Sequence, residues 1–133
     1  LKESDVASWR GIAFEEVCSQ HISQIKYALH IGAVSSQESS LIVKGSEEAD
    51  GMQIDLLIDR ADDAVNVCEM KFYKAPYAVT KGYAQVLNSR LQALEEKNPA
   101  KTFLLTYVGN SELVSNEYSD IFRASVTLDD LFV

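Results

Sequence analysis

The sequence predicts one α/β domain whose mixed sheet carries helices on both faces, and three observations lead there. Two segments, one near the N-terminus and one after Pro76, repeat their apolar residues at steps of three and four, the period of an amphipathic helix. Two others, "MQIDLLIDR" and "AVNVCEMKFY", are apolar on both faces, as strands covered from both sides are. The elements then alternate as α-β-β-β-α-β-α-β without repeats, linkers or low-complexity tracts. With 133 residues, 47% of them hydrophobic, the chain is long enough for a single core that buries roughly two thirds of its unfolded surface.

Taken in order, Phe14, Val17, Cys18, His21, Ile25, Ala28 and Leu29 form the stripe of a helix from Ser8, its expected N-cap, to about Leu29. Glu15 falls on the flank of that stripe and Glu16 on the opposite, solvated side. After Gly32 the chain turns polar, and "SLIVKG" predicts a short strand closed by Gly45. The acidic loop "SEEADG" leads into the two long strands, separated by the turn residues of "DRADDAVN". Pro76 ends that stretch. Thr80 is placed to cap a helix to about Lys97, with Tyr83, Val86, Leu87, Leu91 and Leu94 on its buried face. "KTFLLTYVG" predicts a further strand, "SELVSNEYSDIF" a helix, and "ASVTLDDLFV" a last strand with a short tail.

The formal charge of −8 argues against tight non-specific binding of nucleic acid, which needs clustered Lys and Arg, so any such role must use a local patch, a metal or a partner. No apolar run approaches the ~20 residues of a membrane span, and "LKESDVASWR" lacks the order of a secretory signal, so an intracellular, cytoplasmic protein is expected. A chain that begins with Leu1 reads as a piece of a longer one. Cys18 and Cys68 lack the spacing of a zinc or redox pair and are expected to be reduced core residues.

The segment "NVCEMKFYK" sets Glu69 and Lys71 inside a strand whose neighbours are apolar. Burying a charge costs several kcal/mol unless a partner or a metal compensates it. If the loop between the long strands is the five residues Arg60 to Ala64, Asp59 faces Val65, Leu57 faces Val67 and Asp55 faces Glu69, with opposed Cα atoms about 4.5 to 5.5 Å apart. Lys71, two residues on, points the same way as Glu69. Two opposed carboxylates repel unless a hard cation lies between them. Asp55, Glu69 and the backbone carbonyl of Met70 are therefore candidate ligands of Mg²⁺ or Mn²⁺, Lys71 a candidate for orienting water or stabilising charge on a phosphate, and Glu15 a candidate to complete the site. An internal salt-bridge cluster of the same side chains is the alternative.

"GMQIDLLID" followed by "CEMKF", behind a helix carrying "GIAFEEVC", resembles the PD-(D/E)XK nuclease superfamily, and in particular the nuclease-like domain at the C-terminus of prokaryotic AAA-type ATPases. The resemblance runs from Trp9 to the "LDDLF" tail. It implies a restriction-endonuclease-like core of order α-β-β-β-α-β, a metal held by Asp55 and Glu69, a catalytic Lys71 and a first-helix acid, Glu15. It also implies a substrate contact from the helix after the motif, for which Lys81 and Gln85 are the candidates. Ile54 stands where the motif has Pro. The implied activity is metal-dependent hydrolysis of phosphodiester bonds in DNA or RNA; the implied alternative is a non-catalytic module that regulates or docks an ATPase domain in the same longer chain.

The remaining polar and aromatic residues have structural readings. His21 is expected as a satisfied core or edge histidine and His30 near a helix C-terminus. Trp9 is expected in the core, and Tyr73 and Tyr77 at a sheet edge, with base stacking as the alternative for all three. Asp129 and Asp130 are expected to cap a terminal turn.

Overall fold

The computed structural model describes residues 3–45 and 51–132, the side chains of residues 3–9 and of Val43 excepted. The acidic loop over 46–50 and the Trp9 side chain thus lie outside the described residues. The N-terminal stripe belongs to two helices, α1 (Glu3–Gln20) and α2 (Ile22–Ala28), separated at His21, whose backbone leaves helical geometry. Helix α1 begins upstream of Ser8, which is an interior residue and not the cap: Glu3 to Ala7 contain no Gly or Pro to stop the helix. Phe14, Cys18 and Ile25 are buried as the period predicts, Glu16 is exposed and Glu15 half-buried. After α2 the chain reverses through His30, at φ 62°, while the N–H groups of His30 and Ile31 donate to the carbonyls of Tyr27 and Lys26.

Five strands follow: β1 (Ser36–Val43), β2 (Met52–Arg60), β3 (Ala64–Lys71), β4 (Thr102–Gly109) and β5 (Ala124–Thr127). They lie in sequence order across one sheet, antiparallel from β1 to β3 and parallel from β3 to β5. Strand β1 starts four residues before the expected "SLIV". Its polar half, "SQES", pairs with the end of β2 at the sheet edge, where solvated side chains are compatible with a strand. Between β3 and β4 runs α3 (Lys81–Lys97), and the Thr80 hydroxyl accepts the Tyr83 N–H at 3.2 Å, the expected cap. Ala84, Leu87 and Leu94 bury its inner face; Val86, expected there, is 44% exposed, because the face is centred one residue further round.

The helix expected over "SELVSNEYSDIF" is absent, and only Ser119–Ile121 makes a 3₁₀ turn. Backbone groups of that stretch are committed elsewhere. Tyr77 donates to the Glu112 carbonyl and accepts from Val114, and the Asn116 side chain accepts from Tyr118 N–H while donating to the Val79 carbonyl. The tail forms a second 3₁₀ turn, Leu128–Phe132, with Asp130 accepting from Thr127 N–H at 2.8 Å, the expected capping role.

The sheet separates two cores. On one face Phe14, Cys18 and Ile25 meet Leu56, Ile58, Cys68 and Met70; on the other Leu87 and Leu94 of α3 meet Ile54, Val65, Val67 and Tyr107. Residues two apart on a strand share a face, yet Ile54 and Leu56 lie in different cores. The cause is a β-bulge: Ser39 pairs with Leu57 and Leu41 with Ile54, so Ser40 alone stands against Asp55 and Leu56. Among the described residues no helix is long and apolar enough to cross a membrane.

Candidate active site

The hairpin that carries the motif has the expected register. Asp59 pairs with Val65, Leu57 with Val67, and Leu56 with Cys68. There the ladder stops, one step before Asp55 and Glu69, because Asp55 is in the bulge. The expected meeting of these two carboxylates on one face is therefore not formed. Asp55 accepts a hydrogen bond from Gln53 at 3.3 Å and lines a hollow of about 230 Å³ on the α1 side, together with Glu15, Ser40 and Met70. Two exposed apolar side chains, Ile12 and Ile42, border its mouth. Glu69 and Lys71 leave the sheet on the α3 side.

Glu69 is 4% exposed. Its Oε1 accepts from Arg90 Nη1 at 3.1 Å and its Oε2 from the Tyr83 hydroxyl at 3.2 Å, with the Lys71 ammonium 4.0 Å away. Lys71 in turn donates to the Tyr83 oxygen at 2.5 Å. The chain from ammonium through phenol to carboxylate, closed by a guanidinium, leaves no buried side-chain donor or acceptor unmatched among the described residues.

The charges act on one another across the end of the ladder. Burial raises the pKa of Glu69, and Asp55 adds to that, while Lys71, Arg90 and the Tyr83 hydroxyl work against it. Burial lowers the pKa of Lys71, with the positive charge of Arg90 in the same sense and Glu69, Asp55 and Glu15 opposed. Glu15 is raised by burial and then by Asp55, and Lys71 lowers it. Burial and the neighbouring Glu69 charge hold the Tyr83 phenol protonated well above its usual range. Glu15, Asp55, Glu69 and Lys71 thus form one electrostatic cluster, although the sheet divides it.

Lys81 and Gln85 are exposed on α3, and Gln85 lines an open hollow of about 430 Å³ together with Ser89 and Arg90. Arg90 and Tyr83 were not legible as site residues from the motif. The available signal was their spacing of seven (90 − 83), two helical turns, which puts both on the α3 face that meets β3. His21 is a satisfied edge histidine, its Nδ1 2.7 Å from the Val17 carbonyl and its ring 5.2 Å from that of Phe132. Tyr73 is half-exposed beyond the end of β3, its ring 5.0 Å from Tyr77, which packs 5.9 Å from Tyr107. Both cysteines are free and buried. A separate hollow of about 270 Å³ lies between β1, β2 and the end of α3; its Asp59 and Lys101 pair with each other at 2.8 Å.

The donor set fits a hard divalent cation in kind, since Asp55, Glu15 and Glu69 offer carboxylate oxygens. It is not gathered: among the described residues no three His, Cys, Asp or Glu side chains stand where they would hold a metal. Glu69 is engaged by Arg90 and Tyr83 instead.

No family model matches the chain, and no curated protein does. Among solved structures, the chain is similar in fold to AF1548, a protein of unknown function, with a TM-score of 0.51 at 17% sequence identity. The match covers 80% of this chain and 51% of that one, so the chain spans about half the length of its structural neighbour.

Proposed function

We propose that the chain is a divalent-metal-dependent phosphodiesterase domain of the PD-(D/E)XK type, with a restriction-endonuclease-like core, acting on DNA or RNA. What carries the reading is the cluster of Glu15, Asp55, Glu69 and Lys71 at the end of the β2–β3 ladder, next to the bulge in β2. Support comes also from the element order, helices followed by three antiparallel strands, a helix and a parallel strand, which is the order that the resemblance implies.

Mg²⁺ or Mn²⁺, which supplies Lewis acidity to a phosphodiester, would bind at Asp55 and Glu15, which share the hollow on the α1 side with Met70; Glu69, engaged by Arg90, and the Met70 carbonyl are the further ligands that the resemblance implies. Lys71 is oriented by the Tyr83 oxygen, and its burial brings it closer to proton exchange than an exposed lysine. It is placed to hold a water or to donate to a phosphate oxygen. Gln85, beside Arg90, and Lys81 would contact the backbone of the substrate.

The test is nicking of plasmid and single-stranded substrates in Mg²⁺ or Mn²⁺, with Glu69→Gln and Lys71→Ala beside the parent. Loss of about 100-fold or more in either variant is expected. Nicking that survives both substitutions removes these residues from the reaction. One observation favours a second reading, a non-catalytic module that docks or regulates a linked ATPase domain: Glu69 is already neutralised by Arg90. A parent without nicking activity or Mn²⁺ binding would select it.

A further inference from the structure

We propose that the hollow at the end of α3 binds a small amphipathic monocarboxylate, which sets an aryl or branched aliphatic body between sheet and helix and its carboxylate on Lys97 and Lys101. This second site lies at the opposite end of the β2–β3 ladder from Glu69, and it goes beyond the phosphodiesterase reading without resting on it.

The strands bring apolar and charged side chains to this hollow in register. Asp59 pairs with Val65 and Val65 with Phe103, so the three stand side by side on the face that meets α3. Leu57, two residues before Asp59, shares that face, and Leu41 of β1 and Met52 extend the apolar floor. Ala93 and Leu94 form the wall on the helix side. Leu41, Met52, Leu57 and Phe103 are only partly buried, so an apolar occupant would remove their remaining surface from water. A closed cavity of about 150 Å³ with such a lining holds benzene. At about 270 Å³ this hollow has space for a ring that carries a short chain.

The rim carries two cations and one carboxylate. Lys101 donates to both Asp59 oxygens, at 2.8 and 2.9 Å, which leaves one of the three ammonium donors for a ligand. The pair stays within reach of solvent, the Lys101 side chain being 33% and that of Asp59 45% exposed. Lys97 sits in the last turn of α3, where the negative end of the helix dipole favours a cation, and it forms no ion pair with another described residue. Asp59 offsets one lysine and leaves a single positive charge at the mouth, in a chain of net charge −8. A single excess charge suits a monocarboxylate, and the same Asp59 repels the second charge of a phosphate monoester. An apolar body with one carboxylate therefore answers both parts of the lining.

The experiment titrates the isotope-labelled chain with phenylbutyrate, phenylbutanol or phenylbutylamine, which share a body and differ in charge, and follows the amide shifts by NMR. Phenylbutyrate should give saturable shifts around Leu41, Leu57 and Lys97, with a dissociation constant of about 2 mM or tighter. The alcohol should bind about threefold more weakly than the carboxylate, and the amine about tenfold more weakly. Lys97→Ala should bring the carboxylate down to the affinity of the alcohol, whereas Asp59→Asn should tighten it about threefold, a gain that a merely structural ion pair does not predict. Ala93→Leu fills the hollow from a helical position suited to leucine and should weaken carboxylate and alcohol alike, by about tenfold or more. Lys97→Ala alters an exposed side chain and covers the case in which Ala93→Leu does not fold. Shifts that do not saturate or that lie away from the hollow overturn the proposal, as does equal binding of the carboxylate and the amine. Full carboxylate affinity in Lys97→Ala overturns it too.

Discussion

Truncating Glu69 separates a neutralised cluster from a cluster of mutually repelling acids. The Glu69 side chain is 6% exposed and meets Arg90 at 3.1 Å, Tyr83 at 3.2 Å and Lys71 at 4.0 Å. Removing one member of a fully buried pair costs about 3–5 kcal/mol, because the other charge is left without a partner. Arg90 retains access to water, which reduces the penalty, so Glu69→Ala is expected to lose about 2–3 kcal/mol. Glu69→Gln, which can still accept from Tyr83, is expected to lose about 1–2 kcal/mol. Urea unfolding at pH 7 with a chelator present measures both, read as a shift of midpoint at constant slope. With Mn²⁺ at about a hundredfold excess over its dissociation constant, the parent should gain about 2.7 kcal/mol and the two variants less. Variants as stable as the parent, or more so, in chelator would refute the reasoning: the carboxylate would then repel Asp55 more than it attracts Arg90 and Lys71.

Two further predictions concern the surroundings of the site. A Cβ on Gly109, which pairs with Lys71, would collide with the ring and hydroxyl of Tyr107, whose hydroxyl donates to the Ser111 carbonyl at 2.6 Å. Gly109→Ala should therefore cost about 1–3 kcal/mol, part of it recovered when Tyr107→Phe removes the nearest atom; a double-mutant cycle with no coupling would contradict that contact. Burial pushes the Cys18 thiol up to about 12 and Cys68 higher still, so the fold favours the protonated form. That stability is complete below the unfolded thiol range near pH 9 and is lost as pH rises towards the folded values, by up to about 1.4 kcal/mol per pH unit for each thiol. Chemical denaturation from pH 8 to 11 should show a shallower decline in the Cys18→Ala, Cys68→Ala double variant than in the parent.

The sequence makes legible what local pattern controls. The stripe of α1, the limits of β2 and the Thr80 cap follow from period, composition and capping chemistry, and the length of the Arg60–Ala64 loop sets the pairing of β2 with β3 as far as Leu56 and Cys68. What it hides is non-local. The bulge at Asp55 arises from the pairing of β2 with β1, a polar edge strand whose first half does not read as a strand at all. Since a single extra residue transfers a side chain to the other face, this one irregularity turns an expected pair of facing carboxylates into one on each side of the sheet. Arg90 escapes for another reason: on an amphipathic helix, an arginine at the flank of the apolar face reads as solvated until the strand beneath it is known to carry an acid.

The two halves of the divided cluster have different energetic accounts. On the α3 side each charge has an answer: burial drives Glu69 and Lys71 towards their neutral forms, and Lys71, Arg90 and Tyr83 together offset this for the carboxylate. Such a group needs no metal to be tolerated. On the α1 side burial and the like charge of Asp55 raise the pKa of Glu15, and the opposing charge is that of the Lys71 ammonium, already committed to Tyr83. The ion-pair network that accounts for Glu69 does not take in Asp55, whose carboxylate accepts from Gln53 instead. On the proposed reading, a hard cation in the α1-side hollow would serve Asp55 and Glu15 at once.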